Sequence, residues 1–317
     1  MSQENGLVDL SLERIAAAVD RIDPVFLDTP QFVDKRLSDA LGREVLVKVE
    51  TLNPIGSFKG RGTWLLGQEL DPAMTWVCAT AGNFGQGLAY AARGRGAPVH
   101  VFADSDAPVA KLERMRALGA LVEVSDHSGA SAREYANARA DRILVQDGLD
   151  PSIAEGAGTI AVELESADPI DTAVVQIGDG ALISGVARWL KSLHPRPRVV
   201  GVCASGAPAI AESFAAGRPV SVEGAGTIAV ALAITEPVPE SVARITALVD
   251  EVVLVDDADL LAAMDLVAQT LGVLVEPAGA AGVAALSRYG AEIPGERVAV
   301  LLTGQGSSGG GGTLDTP

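Results

Sequence analysis

Chemistry in this chain gathers at a few turns. Lys59 stands in Ser57-Phe58-Lys59-Gly60-Arg61-Gly62, after an apolar strand-like run and at the opening of a helix-like one, with Pro54 and Gly56 shaping the turn and Ser57 placed to cap the helix. A cation in a first helical turn opposes the macrodipole, which disfavours the charged form and favours a neutral amine able to form a Schiff base with a carbonyl. Taken alone, the lysine reads as a solvated turn residue. Three junctions are rich in glycine: Ala79-Thr80-Ala81-Gly82-Asn83-Phe84-Gly85-Gln86-Gly87, Ile177-Gly178-Asp179-Gly180-Ala181 and Thr303-Gly304-Gln305-Gly306. The second offers orphan N–H groups at a helix start, an anion site. Its spacing, Gly178 through Gly185, is neither the dinucleotide pattern nor a nucleotide P-loop. The competing reading is a tight turn whose glycines let a helix pack on a sheet, and Asp179 favours it, because a carboxylate beside a phosphate dianion is unfavourable.

These turns need elements to hold them. Apolar β-branched runs at 45–50, 74–80, 98–103, 121–124, 172–177, 198–203, 251–255 and 297–302 read as strands, several apolar on both faces. Amphipathic segments at 111–118, 130–142, 153–166, 182–192 and 257–271 read as helices between them. Parallel strands buried on both faces and alternating with helices predict a doubly wound α/β protein, whose ligands bind beyond the carboxyl ends of the strands.

Composition narrows the partners. With 24 Lys+Arg against 41 Asp+Glu, the net charge of -17 over 317 residues disfavours nucleic acid and anionic membranes as partners. No apolar run approaches the roughly 20 residues that span a bilayer, and the N-terminus has no apolar leader, so a soluble cytoplasmic protein is expected. Cys78 and Cys203 sit in apolar runs as buried thiols, and His100, His127 and His194 are too scattered for a zinc site. The 35 glycines divide between the junctions and a flexible tail at 307–317. One octapeptide, Glu-Gly-Ala-Gly-Thr-Ile-Ala-Val, occurs at 155–162 and again at 223–230, with flanks that do not match.

Six motifs together resemble the fold-type II, or tryptophan synthase β, family of pyridoxal-phosphate enzymes, and within it the serine/threonine dehydratases. They are Ser57 through Gly62, Thr80-Ala81-Gly82-Asn83, Gly119-Ala120, Gly178 through Gly185, Glu276-Pro277-Ala278-Gly279-Ala280 and Thr303-Gly304, in the family's order. The resemblance implies two doubly wound domains with mostly parallel sheets and pyridoxal 5'-phosphate in the cleft between them. The large domain would comprise 1–50 and 151–306, the small mobile one 51–150. Lys59 would carry the cofactor and act as base at Cα, while Asn83 would meet the 3'-oxygen. Phosphate would lie on Gly178, Asp179, Gly180, Ala181 and Leu182, and Thr303 would face the pyridine nitrogen. The substrate carboxylate would lie on Thr80, Ala81, Gly82, Asn83 and Phe84. A neutral hydroxyl at the ring nitrogen makes a weaker electron sink than a carboxylate, which favours prompt β-elimination over transamination.

Departures from the dehydratase pattern are Asp179 and Ala181 where glycines are usual, Phe84 where histidine is common, and Gly226 and Val230 where acidic residues hold a cation, so no metal is expected. Leu52-Asn53-Pro54 is also reminiscent of threonine synthases. The resemblance implies an ammonia-lyase acting on L-threonine or L-serine, with β-replacement, threonine synthase-like chemistry, racemisation, or a regulatory relative that only binds cofactor as alternatives. It further implies a homodimer, and, since the chain stops soon after Thr303, no C-terminal effector domain is expected.

Overall fold

The protein, seen here as a computed structural model, is described over residues 8–306 apart from Ala81 and Asp106. Among the described residues ten strands form two sheets: β1 (Gln31–Val33), β2 (Glu44–Val49), β3 (Thr75–Ala79), β4 (Val99–Ala103), β5 (Leu121–Val124), β6 (Arg142–Leu144), β7 (Thr172–Gln176), β8 (Arg198–Ala204), β9 (Glu251–Val255) and β10 (Arg297–Leu302). The larger sheet runs β1-β2-β10-β7-β8-β9 and the smaller β5-β4-β3-β6. Every pairing is parallel except that of β1 with β2.

Alternation along the larger sheet explains why its strands read as continuous apolar runs. Val45, Val47, Val174, Val200, Val202, Val298 and Val300 pack on one face with the helices Asp257–Leu271 and Pro277–Tyr289. Leu46, Ala173, Val175, Val199, Ala299 and Leu301 point to the other, against the helices Pro151–Glu165 and Ala181–Leu190. None of these side chains meets water, so each valine among them contributes about 1.5–3 kcal/mol by burial. All eight expected strands are present. The segment 130–142 expected as one helix is instead the helix Ser128–Asn137 followed by β6. The Ala138-Arg139-Ala140 sequence suits a helix, but pairing with β3 takes over when the Thr75 N–H bonds the Asp141 carbonyl at 2.9 Å. β1 is a three-residue edge strand too short to show a period.

Two features fix the lysine turn to the rest. Arg61, two residues beyond Lys59, is fully buried and holds Glu50 at 2.8 Å and Glu163 at 3.0 Å, with Thr159 and Thr29 completing its hydrogen bonds. Burial opposes its charge, but the two carboxylates win and its pKa rises further. Beside it Lys48, paired with Glu163, is pushed below the usual lysine range by burial. The second feature is backbone contact. A Cβ on Gly62 would lie 2.3 Å from the Ile153 carbonyl oxygen, and one on Gly185 would lie 1.8 Å from that of Ala154. The helix Pro151–Glu165 is thus clasped between the lysine helix, Lys59–Gly67, and the helix Ala181–Leu190. Many of the glycines serve these helix contacts, a use that the turns alone do not reveal.

The repeated octapeptide takes two conformations. At 155–162 it lies inside the helix Pro151–Glu165, which Asp150 caps and Pro151 opens, with the Glu155 carboxylate buried against Arg14. At 223–229 it is a loop and Val230 opens a single 3-10 turn, with Gly224 at φ 73° and Asp257 accepting from the Thr227 hydroxyl at 2.6 Å and the Ile228 N–H at 3.1 Å. Both cysteines are buried free thiols. Among the described residues no helix is long and apolar enough to cross a membrane, and no cluster of His, Cys, Asp or Glu could hold a metal ion. The expected tail at 307–317 lies outside the described residues.

Candidate active site

The lysine turn is set by Asn53. Its amide donates to the carbonyls of Glu50 at 2.9 Å and Ser57 at 3.1 Å, and its oxygen accepts from the N–H groups of Ile55 and Ser57. Phe58, not Ser57, is the N-cap of the lysine helix, though the Ser57 hydroxyl accepts from the Lys59 N–H at 3.3 Å. The chain beyond β10 is stitched onto this turn by Phe58 N–H to the Thr303 carbonyl at 3.2 Å and Gln305 N–H to that of Gly56 at 2.8 Å. Lys59 and Thr303, 244 positions apart, thereby become neighbours.

The Lys59 ammonium pairs with Asp147, and its Nζ lies 4.9 Å from the Phe58 ring centre and 5.8 Å from that of Phe84. The sequence offered only the helix dipole at this position; the fold adds the Asp147 carboxylate beside the amine. Asp147 follows β6, and its carboxylate also accepts from the Gly148 N–H at 3.1 Å. Arg244 pins that loop by donating to the carbonyls of Gly148 at 2.9 Å and Leu149 at 3.0 Å.

Gly178, Asp179 and Gly180 connect β7 to the helix Ala181–Leu190. Gly180 is its N-cap at φ 91°, a conformation suited to glycine, and no side chain caps the helix. The first-turn N–H groups of Ala181 and Leu182 are therefore left for another acceptor, while the Leu182 side chain is buried in the core. Ser241 holds the turn by donating to the Asp179 carbonyl. Burial, then the nearby Asp147 charge, push the Asp179 carboxyl up to about 7, with Lys59 partly offsetting them.

Thr80 and Gly82 precede the helix Asn83–Arg95. The Thr80 hydroxyl oxygen accepts from the Gly82 N–H at 3.1 Å, so that amide is already bonded, while the hydroxyl proton meets no acceptor among the described residues. Asn83 donates to Glu276 at 2.9 Å and accepts from Gln86 at 3.2 Å. The other Glu276 oxygen takes Lys111 at 2.6 Å, joining the helix Val109–Ala117 to the start of Pro277–Tyr289. Gly304 lies so close that a Cβ there would stand 3.0 Å from the Asn83 amide nitrogen. Phe84 is buried, and Ala81 lies outside the described residues. Thr303 is buried too, its hydroxyl accepting from the Gln176 side chain at 2.6 Å.

A family profile described as "Pyridoxal-phosphate dependent enzyme" matches residues 22–304. The chain belongs to that family. Among relatives of this pyridoxal-phosphate dependent enzyme, the L-threonine ammonia-lyase of Thermotoga maritima is 32% identical, covering 93% of this chain and 75% of that protein. A serine racemase of Arabidopsis thaliana is 34% identical, covering 86% and 84%. The structure of maize serine racemase superimposes with a TM-score of 0.87 at 29% identity, covering 95% of this chain and 95% of that one.

The residues present fit such a cofactor. An amine, an uncapped helix start and a buried hydroxyl offer a partner for an aldehyde, a phosphate and a ring nitrogen respectively. The Asp179 carboxylate is the one discordant group, and its upward shift lessens the conflict, because the protonated carboxyl can donate to a phosphate. Sequence reasoning missed Asp147, Gln176, Lys111, Ser241, Arg244 and the part played by the Glu276 carboxylate. Two signals were available: Gln176 is a polar residue in an otherwise apolar strand, and Glu276 opens a quoted motif.

Proposed function

We propose that the chain is an ammonia-lyase that removes water and ammonia from a small β-hydroxy amino acid, L-threonine or L-serine, to give a 2-oxo acid. The observation that carries this reading is Thr303, a neutral hydroxyl held by another neutral side chain where a strong electron sink would require a carboxylate. The match to the Thermotoga maritima L-threonine ammonia-lyase over 93% of the chain supports it.

When bound, the cofactor supplies a sink for the electron pair left at Cα. Lys59, once its amine is released, takes the α-proton and delivers it to the β-oxygen as the C–O bond breaks, so that water leaves and Lys59 is restored. The released enamine then takes up water and loses ammonia. The Thr80 hydroxyl and the free N–H groups at the start of Asn83–Arg95 bind the substrate carboxylate, and the uncapped turn at Gly178–Leu182 binds phosphate. Phe58 and Phe84 exclude water around Lys59 Nζ. The unit 51–150, which contains the smaller sheet, closes on 1–50 and 151–306, with Lys111–Glu276 as one of the contacts made. The working form is a cytoplasmic homodimer, testable by light scattering and by fractionation.

Incubation with L-threonine and L-serine, with 2-oxo acid and ammonia measured, tests the reading. Turnover only when a thiol or amine is added would replace it with β-replacement. The match to serine racemases makes racemisation the second reading; chiral analysis of recovered serine, with no 2-oxo acid formed, would establish it.

A further inference from the structure

Gln176 ends β7 among apolar neighbours and is buried. Its amide nitrogen lies 3.1 Å from the Leu301 carbonyl oxygen and 2.6 Å from the Thr303 hydroxyl oxygen. The first contact fixes which way the amide faces: turned over, it would set two carbonyl oxygens against each other with no proton between them. The amide oxygen, buried and without a partner, is the cost of holding this orientation. Thr303 must therefore accept from Gln176. A hydroxyl has a single proton, and among the described residues that of Thr303 donates to no protein acceptor. With one lone pair occupied, its proton is turned away from Gln176 and left for an acceptor that the described residues do not supply.

We infer that Gln176 is a positioning residue that locks Thr303 as a hydrogen-bond donor to the cofactor's ring nitrogen and so holds that nitrogen unprotonated. The inference rests on the assignment of Thr303 to that nitrogen and goes beyond it. Thr303 alone could serve either form of the ring, since a freely rotating hydroxyl accepts from a pyridinium as readily as it donates to a pyridine. Gln176 weights the choice: it takes one lone pair and offers the hydroxyl proton no acceptor, so a Thr303 that accepted from a pyridinium would leave its own proton unpaired among the described residues. An unprotonated ring is a weaker electron sink, so the residue that selects reaction type stands behind the one that touches the ring.

Holoenzyme reconstituted with ring-nitrogen-labelled pyridoxal phosphate gives the direct readout, the nitrogen NMR shift at neutral pH. The wild type is expected at the unprotonated position. In Gln176→Glu the carboxyl, ionised or not, offers Thr303 an acceptor. Its hydroxyl then turns its lone pairs to the ring, and the signal moves towards the pyridinium position. Gln176→Met, close in volume and unable to donate, frees the hydroxyl and moves the signal the same way by less; it decides the matter if the glutamate variant does not fold. Signals of both variants at the wild-type position, with Thr303→Val displaced, would overturn the role of Gln176 while leaving Thr303 in place. Thr303→Val unmoved from wild type would instead remove Thr303 from the ring nitrogen, and the inference with it.

Discussion

The clasp between helices gives a sharp prediction at Gly185. A Cβ there would lie 1.8 Å from the Ala154 oxygen and 2.7 Å from the Gly158 nitrogen, where ordinary contact begins near 3.4 Å, so the two helices must part by about 1.6 Å. Both obstructing atoms are backbone, with no rotamer to yield. Gly185→Ala should therefore fall at the upper end of the overpacking range, about 3 kcal/mol, or roughly 4–5 °C in melting temperature for a chain of this size. The same movement carries the uncapped turn at Gly180 away from Lys59, and a misplacement of about 1 Å costs on the order of a hundredfold in rate. Thermal unfolding by circular dichroism and cofactor titration by fluorescence measure the two effects. Gly129→Ala is the control, because its Cβ would meet nothing nearer than the Arg133 guanidinium at 3.7 Å, and alanine in a helix is favoured. A Gly185→Ala protein that melts with the wild type and binds cofactor equally well would refute the argument that these helices touch through backbone.

Three further outcomes are expected. Arg61→Met leaves Glu50 buried without its cation and Glu163 with Lys48 alone, and should cost about 3–5 kcal/mol in urea unfolding; Arg61→Lys should restore little, since it lacks the planar fork that serves both carboxylates. Asp179 has an ordinary pKa of 3.8 and a folded value of about 7, so the folded form retains a proton that the unfolded chain loses. Its contribution is present below the lower value and disappears as pH rises through the upper one; Asp179→Asn should thus gain in melting temperature on the cofactor-free wild type across that window, and a constant difference would count against the shift. Lys111→Ala should weaken the hold on Glu276 by about 1 kcal/mol, raising amide exchange in Val109–Ala117 about fivefold by mass spectrometry, whereas unchanged exchange would show that the ion pair holds nothing.

The fold was legible where burial on both faces produced unbroken apolar runs, as in β2, β7, β8 and β10. It was illegible where pairing rather than composition decides the outcome, as in β1 and β6. Missing β6 had a consequence for the site, because with the expected helix ending at 142 and 143–152 left unassigned, no strand end drew notice to Asp147. Motif residues such as Lys59 and Asn83 could be read as a set, but their hydrogen-bond partners could not. Glu276 reaches Asn83 across 193 positions and Gln176 reaches Thr303 across 127, separations that only the folded chain closes.

The octapeptide found once as helix and once as loop amounts to a built-in calibration. Intrinsic amide exchange depends on adjacent side chains, and away from the ends of the two copies these are the same, so any ratio of exchange rates between 155–162 and 223–230 measures tertiary protection with the chemistry cancelled. The second copy thus serves as a reference of matched sequence in the same molecule, at the same concentration and pH. Here the helical copy is the one clasped between the lysine helix and Ala181–Leu190, so cofactor tightening that clasp would register as slowing in one copy against a steady clock in the other.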